Sequence, residues 1–231
     1  MNSKTVISID FDRKTTCSQI CNYCYVANTE RMYKSYGPKI LTNAEMAVAN
    51  PTDFAATIND EYTKLKNSKA KALANLHKLP VRLYGSGDYI KQHFEFISKL
   101  TFNAYIISKN LTIADNHPEI QKLENLSNIT SILLSFDLQN ISNYAATLKY
   151  ILANNITKAK FAFTGLPDDF NNIKKDKKFN IFFNISEKKI EKAKSRLFLE
   201  QCPCDSGAIK LENSCAKCSK CWRSAVQKNT K

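Results

Sequence analysis

The stretch TVISIDFDRKTTCSQICNYCY, residues 5–25, sets a short apolar run directly before a loop holding three cysteines. Val6, Ile7, Ile9 and Phe11 make Thr5–Phe11 a predicted strand, which the polar run after it ends. Further runs rich in β-branched and aromatic residues lie at Val81–Tyr84, Ala104–Ser108, Ser131–Phe136, Lys160–Thr164 and Phe179–Asn184, bringing the predicted strands to six. Helical patterns fall between them, at Asp53–Lys66, Lys69–His77, Tyr89–Leu100, Pro118–Leu126, Ser142–Asn154 and, more briefly, Asp168–Ile173. A last helix, Glu187–Leu199, follows the sixth strand. Thr52 ahead of the first helix, and Asn140 or Ser142 ahead of the one that Asn154 closes, are the expected caps.

Strict alternation of strand and helix implies parallel strands joined by right-handed crossovers. Six units are too few to close an eight-stranded barrel. The expected fold is therefore α/β, either open or a partial (β/α)6 barrel, over residues 1–199, followed by a small Cys-rich metal-binding extension over 200–231. In such folds the working residues lie on loops at the carboxyl ends of the strands.

Composition agrees with one large domain and a small appendage. The chain has 231 residues, 43% hydrophobic and 24% charged, as in folded globular proteins and unlike disordered ones. No apolar run reaches the ~18 residues of a membrane helix, and the start lacks an apolar signal segment. A cytoplasmic chain without a membrane partner is the expectation. In that compartment thiols are held reduced, so eight cysteines are metal ligands, redox groups or buried apolar residues before they are four disulfides. Scattered positions would suit buried thiols. Instead Cys17, Cys21 and Cys24 stand near the start, and Cys202, Cys204, Cys215, Cys218 and Cys221 near the end, with none between.

The first cluster, CSQICNYCY, spaces its thiols three and then two residues apart, right after the first strand. Three thiolates from one tight loop can hold three irons of a 4Fe-4S cubane and leave the fourth open, whereas a structural zinc site takes four ligands. The three His residues, His77, His93 and His117, lie far along the chain.

This Cys-x3-Cys-x2-Cys loop after strand one, with Tyr23 just before the last cysteine, resembles the signature of the radical S-adenosylmethionine (SAM) enzymes, and the strand-helix alternation is similar to their partial barrel over residues 5–200. The resemblance implies that Cys17, Cys21 and Cys24 hold a catalytic 4Fe-4S cluster. Its open iron would bind the amino and carboxylate groups of SAM, and its electron would cleave the sulfonium to a 5′-deoxyadenosyl radical. In that family a Gly-Gly-Glu-type turn after strand two meets the SAM amino group. Here LYGSGDY supplies Gly85, Ser86, Gly87 and Asp88, with Ser86 in place of the middle glycine and Asp88 in place of the longer acid. Glycines allow close backbone approach and a carboxylate suits an ammonium. An ordinary strand-to-helix turn with Asp88 capping a helix at Tyr89 is the other reading.

Polar residues also recur at the later strand ends, with Ser108 and Lys109 after strand three, Ser135 and Asp137 around strand four, and Asn184 and Ser186 after strand six. The resemblance implies that Ser135 and Asp137 hold the SAM ribose, with Ser108 beside the cofactor. Thr164 and Gly165 would let the adenine lie against backbone.

The second cluster, QCPCDSGAIKLENSCAKCSKCW, spaces Cys215, Cys218 and Cys221 two and two apart, with Cys202 or Cys204 as a distant fourth. That arrangement suits an auxiliary 4Fe-4S cluster, and zinc competes, since four Cys in two groups is also a knuckle pattern. The Cys-Pro start and the closing Cys-x2-Cys-x2-Cys-Trp are similar to the phage-borne gene product 88-like radical SAM group. That likeness implies Cys202 as the ligand, Cys204 as the spare, and a host cytoplasm as the setting. Trp222 would shield the cluster from water.

The net charge of +13 is uneven, for residues 171–231 hold 15 Lys+Arg against 6 Asp+Glu. EKKIEKAKSR reads as a helix with a Lys-rich solvent face; binding to nucleic acid and docking of an acidic electron donor, flavodoxin or ferredoxin, are the functional readings. Two 2+ cubanes on seven thiolates would bring the working charge to about +10, so part of the surplus compensates metal sites. The class expected is a radical SAM enzyme acting on a peptide, protein, nucleotide or nucleic acid. A zinc-dependent nucleic-acid-binding protein without catalysis is the rival class.

Overall fold

The computed structural model describes residues 7–11, 16–17, 43–67, 79–85, 87–164 and 171–172. Within them a five-stranded parallel sheet has the order β1-β2-β3-β4-β5, formed by β1 (Ser8–Ile9), β2 (Val81–Leu83), β3 (Ala104–Ser108), β4 (Ile129–Phe136) and β5 (Ala159–Phe163). All four pairings are parallel, as strict alternation requires. The expected sixth strand, the helices Lys69–His77 and Glu187–Leu199, and the extension 200–231 lie outside the described residues, as does most of Asp168–Ile173. No helix among the described residues is long and apolar enough to cross a membrane.

The helices are α1 (Asn43–Ala49), α2 (Pro51–Lys66), α3 (Phe94–Ser98), α4 (His117–Glu124) and α5 (Tyr144–Ala153). Pro51, not Thr52, opens α2, because its fixed φ and missing N–H suit the first helical position. Asp53 in the first turn and Lys64 and Lys66 in the last complement the helix dipole. The expected helix Tyr89–Leu100 is a 3-10 turn, Lys91–His93, running into the five-residue α3, because Ile90 is extended. Helix α1 was not expected; its seven residues are too few to establish a period.

Alternation along each strand sends one set of side chains to the helices. Ile9, Leu83, Ile106, Ile132, Leu134, Phe136 and Phe161 join the main apolar core with Phe96, Ile120, Leu148 and Ile151. Tyr144 of α5 packs edge-on to Phe136 and Phe161, with ring centroids 5.5 and 5.2 Å away. At the other end of the row, Phe54 of α2 stacks on Phe96 of α3.

The opposite face carries a polar row. Ser8, Arg82, Tyr105 and Ser131 are successive register partners from β1 to β4, and Lys160 of β5 pairs with Leu133 on that same face. Tyr105 and Ser131 are fully buried there. Parallel sheets usually bury apolar runs on both faces, so this polar row marks a face with another use.

The candidate site at the carboxyl edge of the sheet

Parallel strands place all their carboxyl ends along one edge. Five loops leave it, and the sequence-predicted residues of the described segments gather there: Cys17 after β1, Gly85, Gly87 and Asp88 after β2, Ser108 at the end of β3, Ser135 and Asp137 at the end of β4. Ser86, Tyr23, Cys21 and Cys24 lie outside the described residues, as do Cys202, Cys204, Cys215, Cys218, Cys221, Trp222, Gly165, Asn184 and Ser186.

Tyr84 carries the chain out of β2 with φ of +64°, in the left-handed region that costs a bulky residue of order 1–3 kcal/mol. Three contacts hold it there. Phe11 stacks on its ring at 4.5 Å, its Oη meets His93 Nδ1 at 2.9 Å, and its N–H donates to the Ile9 carbonyl at 3.1 Å. Burial pushes the His93 imidazole down to about 4, so the ring is neutral near pH 7. Gly87 follows with φ of +78°, and a Cβ there would stand 2.6 Å from both the Phe11 carbonyl oxygen and Thr16 Oγ1. Only glycine lets the turn lie this close to the chain that leads into Cys17.

Asp88 is the centre of the edge. Its N–H donates to Thr16 Oγ1 at 3.0 Å. Oδ1 accepts from the Tyr89 N–H at 2.7 Å and the Ser108 hydroxyl at 2.6 Å, and Oδ2 accepts from the N–H groups of Lys109 and Asn110, both at 3.1 Å. The residue is 7% exposed, and burial raises its carboxyl to about 6 against those four bonds, each of which lowers it. A carboxylate has about four acceptor positions, and all are engaged inside the protein. These bonds hold the turn in place and leave no acceptor position of Asp88 unused. Nor does Asp88 cap a helix, since Tyr89 and Ile90 precede the 3-10 turn.

Asn110 extends the same brace. Its Nδ2 donates to the Thr16 carbonyl at 3.1 Å and to the Tyr89 carbonyl at 2.9 Å. Thr16 is thus held from both sides by residues of the β2 and β3 loops, and the half-buried Cys17 follows it directly. Among the described residues no group of three potential metal ligands forms, and Cys17 is the only cysteine among them. A thiol on a fixed chain at the mouth of a parallel sheet suits the soft, thiolate-ligated metals.

Comparison with family models, curated proteins and solved structures finds no match.

Beyond Asp88, the edge continues to β4 and β5. Lys109 forms a buried ion pair with Asp137, the two side chains being 11% and 3% exposed, and Asp137 Oδ1 also accepts from the Gln139 N–H at 2.9 Å. Asn140 accepts from the Asp137 N–H at 2.7 Å and donates to the Ser135 carbonyl and Thr112 Oγ1, which turns its side chain inward, away from a capping role. Ser135 and Thr164 share a hydroxyl–hydroxyl bond from β4 to β5. Sequence reasoning marked Lys109 only as a strand-end residue and passed over Thr16 and Asn110. Threonine directly before the first cysteine was a signal for the former. Nothing local pointed to the latter.

Proposed function

We propose that this chain is a radical SAM enzyme with a partial (β/α)6 barrel, in which Cys17, Cys21 and Cys24 ligate a 4Fe-4S cluster at the carboxyl edge of the sheet. The observation that carries this reading is the hydrogen bond from the Asp88 N–H to Thr16 Oγ1. It ties the start of the cysteine loop to the Gly-Ser-Gly-Asp turn, two segments that both belong at one SAM site in the family the sequence resembles.

The bound cluster would supply an electron to the sulfonium of SAM, which breaks its C–S bond to give methionine and the 5′-deoxyadenosyl radical. The chain's own residues prepare the place. Thr16, Asp88 and Asn110 fix the loop that presents Cys17. Gly85 and Gly87 leave room for a ligand to lie against backbone. Ser135 and Asp137 offer oxygen atoms to a ribose, with Lys109 paired to Asp137 at that point. Cys202, Cys215, Cys218 and Cys221 hold an auxiliary 4Fe-4S cluster in this reading, and the basic tail receives an acidic flavodoxin or ferredoxin in the host cytoplasm.

Anaerobic reconstitution with iron and sulfide tests it. Two clusters give a brown protein with a broad band near 400 nm and about seven or eight irons per chain. With dithionite and SAM the protein releases 5′-deoxyadenosine, and Cys24→Ala does not. A colourless protein holding one or two zinc ions, retained on nucleic acid, establishes the rival class instead.

A further inference from the structure

We infer that Arg82 is the receptor for a carboxylate of the substrate, on the sheet face turned away from the helices. Arg82 projects from the middle of β2 between Ser8 and Tyr105, its register partners on β1 and β3. Its side chain bends toward the carboxyl edge, for a Cβ on Gly85 would stand 2.5 Å from Arg82 Nη2. The guanidinium tip therefore sits beneath the first glycine of the turn, at the mouth of the proposed site. Among the described residues Arg82 makes one side-chain hydrogen bond, from Nε to Ser8 Oγ at 3.3 Å. Nη1 and Nη2 remain as a planar fork, the geometry that matches a carboxylate or phosphate with two parallel bonds.

The neighbours select between those anions. Asp10 Oδ1 would lie 2.4 Å from the same Cβ on Gly85, beside the guanidinium, and it accepts from Ser8 Oγ at 2.8 Å. That negative charge disfavours a dianionic phosphate more than a monoanionic carboxylate. Farther along the same polar row, Tyr105 and Ser131 are fully buried and Lys160 lies on β5, three strands from Arg82. Arginine half-buried in a parallel sheet is costly unless its donors are used, and a carboxylate at the fork uses them. A carboxylate favours an acidic side chain, a chain terminus or a small organic acid over a nucleotide as the group recognised. Calling the ligand a substrate rests on the enzyme reading above; the anion site does not.

The test is arginine Nε–Hε NMR on the full chain without iron, titrated with acetate and, separately, with inorganic phosphate at constant ionic strength. The Arg82 signal is the one missing from Arg82→Lys. Saturable movement of that signal with acetate, with weaker movement for phosphate, is expected. Acetate binding, followed by calorimetry, falls about tenfold in Arg82→Lys, which keeps the charge and loses the fork, and is unchanged in the surface variant Lys99→Gln. An Arg82 signal indifferent to acetate, equal acetate affinity in Arg82→Lys, or tighter binding of phosphate than of acetate overturns the inference. Because no iron is present, these outcomes are independent of whether the cluster assembles.

Discussion

Asp88 and Ser108 meet across the β2–β3 crossover, the Ser108 hydroxyl donating to Asp88 Oδ1 at 2.6 Å. Burial outweighs this bond and its three companions, moving the carboxyl from its ordinary 3.8 up to about 6. An acid with a higher pKa folded than unfolded binds more protons in the folded state between the two values, so stability falls as pH rises through that window. Ionised Asp88 thus costs on the order of 3 kcal/mol at neutral pH relative to acid. Urea unfolding of the wild type and Asp88→Asn reads this directly. The stability of the wild type relative to the variant should drop between about pH 4 and pH 7, by an amount of that order. A flat difference would show that Asp88 titrates in its ordinary range.

Thr16→Val keeps the shape of the side chain and removes the acceptor for the Asp88 N–H. A buried donor left without a partner costs about 1–3 kcal/mol. If the bond also positions the cysteine loop, iron bound per chain after reconstitution falls in Thr16→Val and is retained in Thr16→Ser. Equal iron in the two variants would separate the bond from the metal site.

Gly87 and Gly85 differ in what an added methyl group meets. At Gly87 the obstacles are the Phe11 carbonyl oxygen and Thr16 Oγ1, with φ at +78°, so Gly87→Ala strains backbone and loses about 1–3 kcal/mol. At Gly85 the obstacles are the side-chain tips of Asp10, Arg82 and Ser8, which can move aside. Gly85→Ala is therefore the milder change. The midpoints of chemical unfolding rank them, and the reverse order would contradict this account of the turn.

Much of the sheet was legible because each strand is a β-branched or aromatic run bounded by polar residues; Ala104–Ser108 matches its observed bounds. β4 begins two residues earlier than expected. Thr130 interrupts the run there as the extra residue of a register shift, and its hydroxyl donates to the Ala104 carbonyl at 3.1 Å. The Gly-Ser-Gly-Asp turn was legible as a close approach. What it approaches was not, because Thr16 lies 72 residues away and Ser108, Lys109 and Asn110 20 to 22. Helix α1 escaped because tertiary contacts, through Ala44 and Ala47, support a segment too short to show its own period.

The buried pair of Lys109 and Asp137 gives an asymmetric expectation. Lys109→Met leaves a carboxylate buried without its cation and costs about 3–5 kcal/mol, while Lys109→Met with Asp137→Leu recovers most of that loss. Thermal or urea unfolding of the two singles and the double closes the cycle. Additive losses would mean that the two charges do not depend on each other.

Every pairing in the sheet joins strands that are consecutive in the chain. During synthesis each new strand therefore finds its partner already made, and none must be threaded between two others. The longest interval is the first, since Ser8 pairs with Arg82. Once that pair has closed, the sheet can grow in the order in which the ribosome delivers it, with the Asp88 brace available to form as soon as Asn110 has emerged.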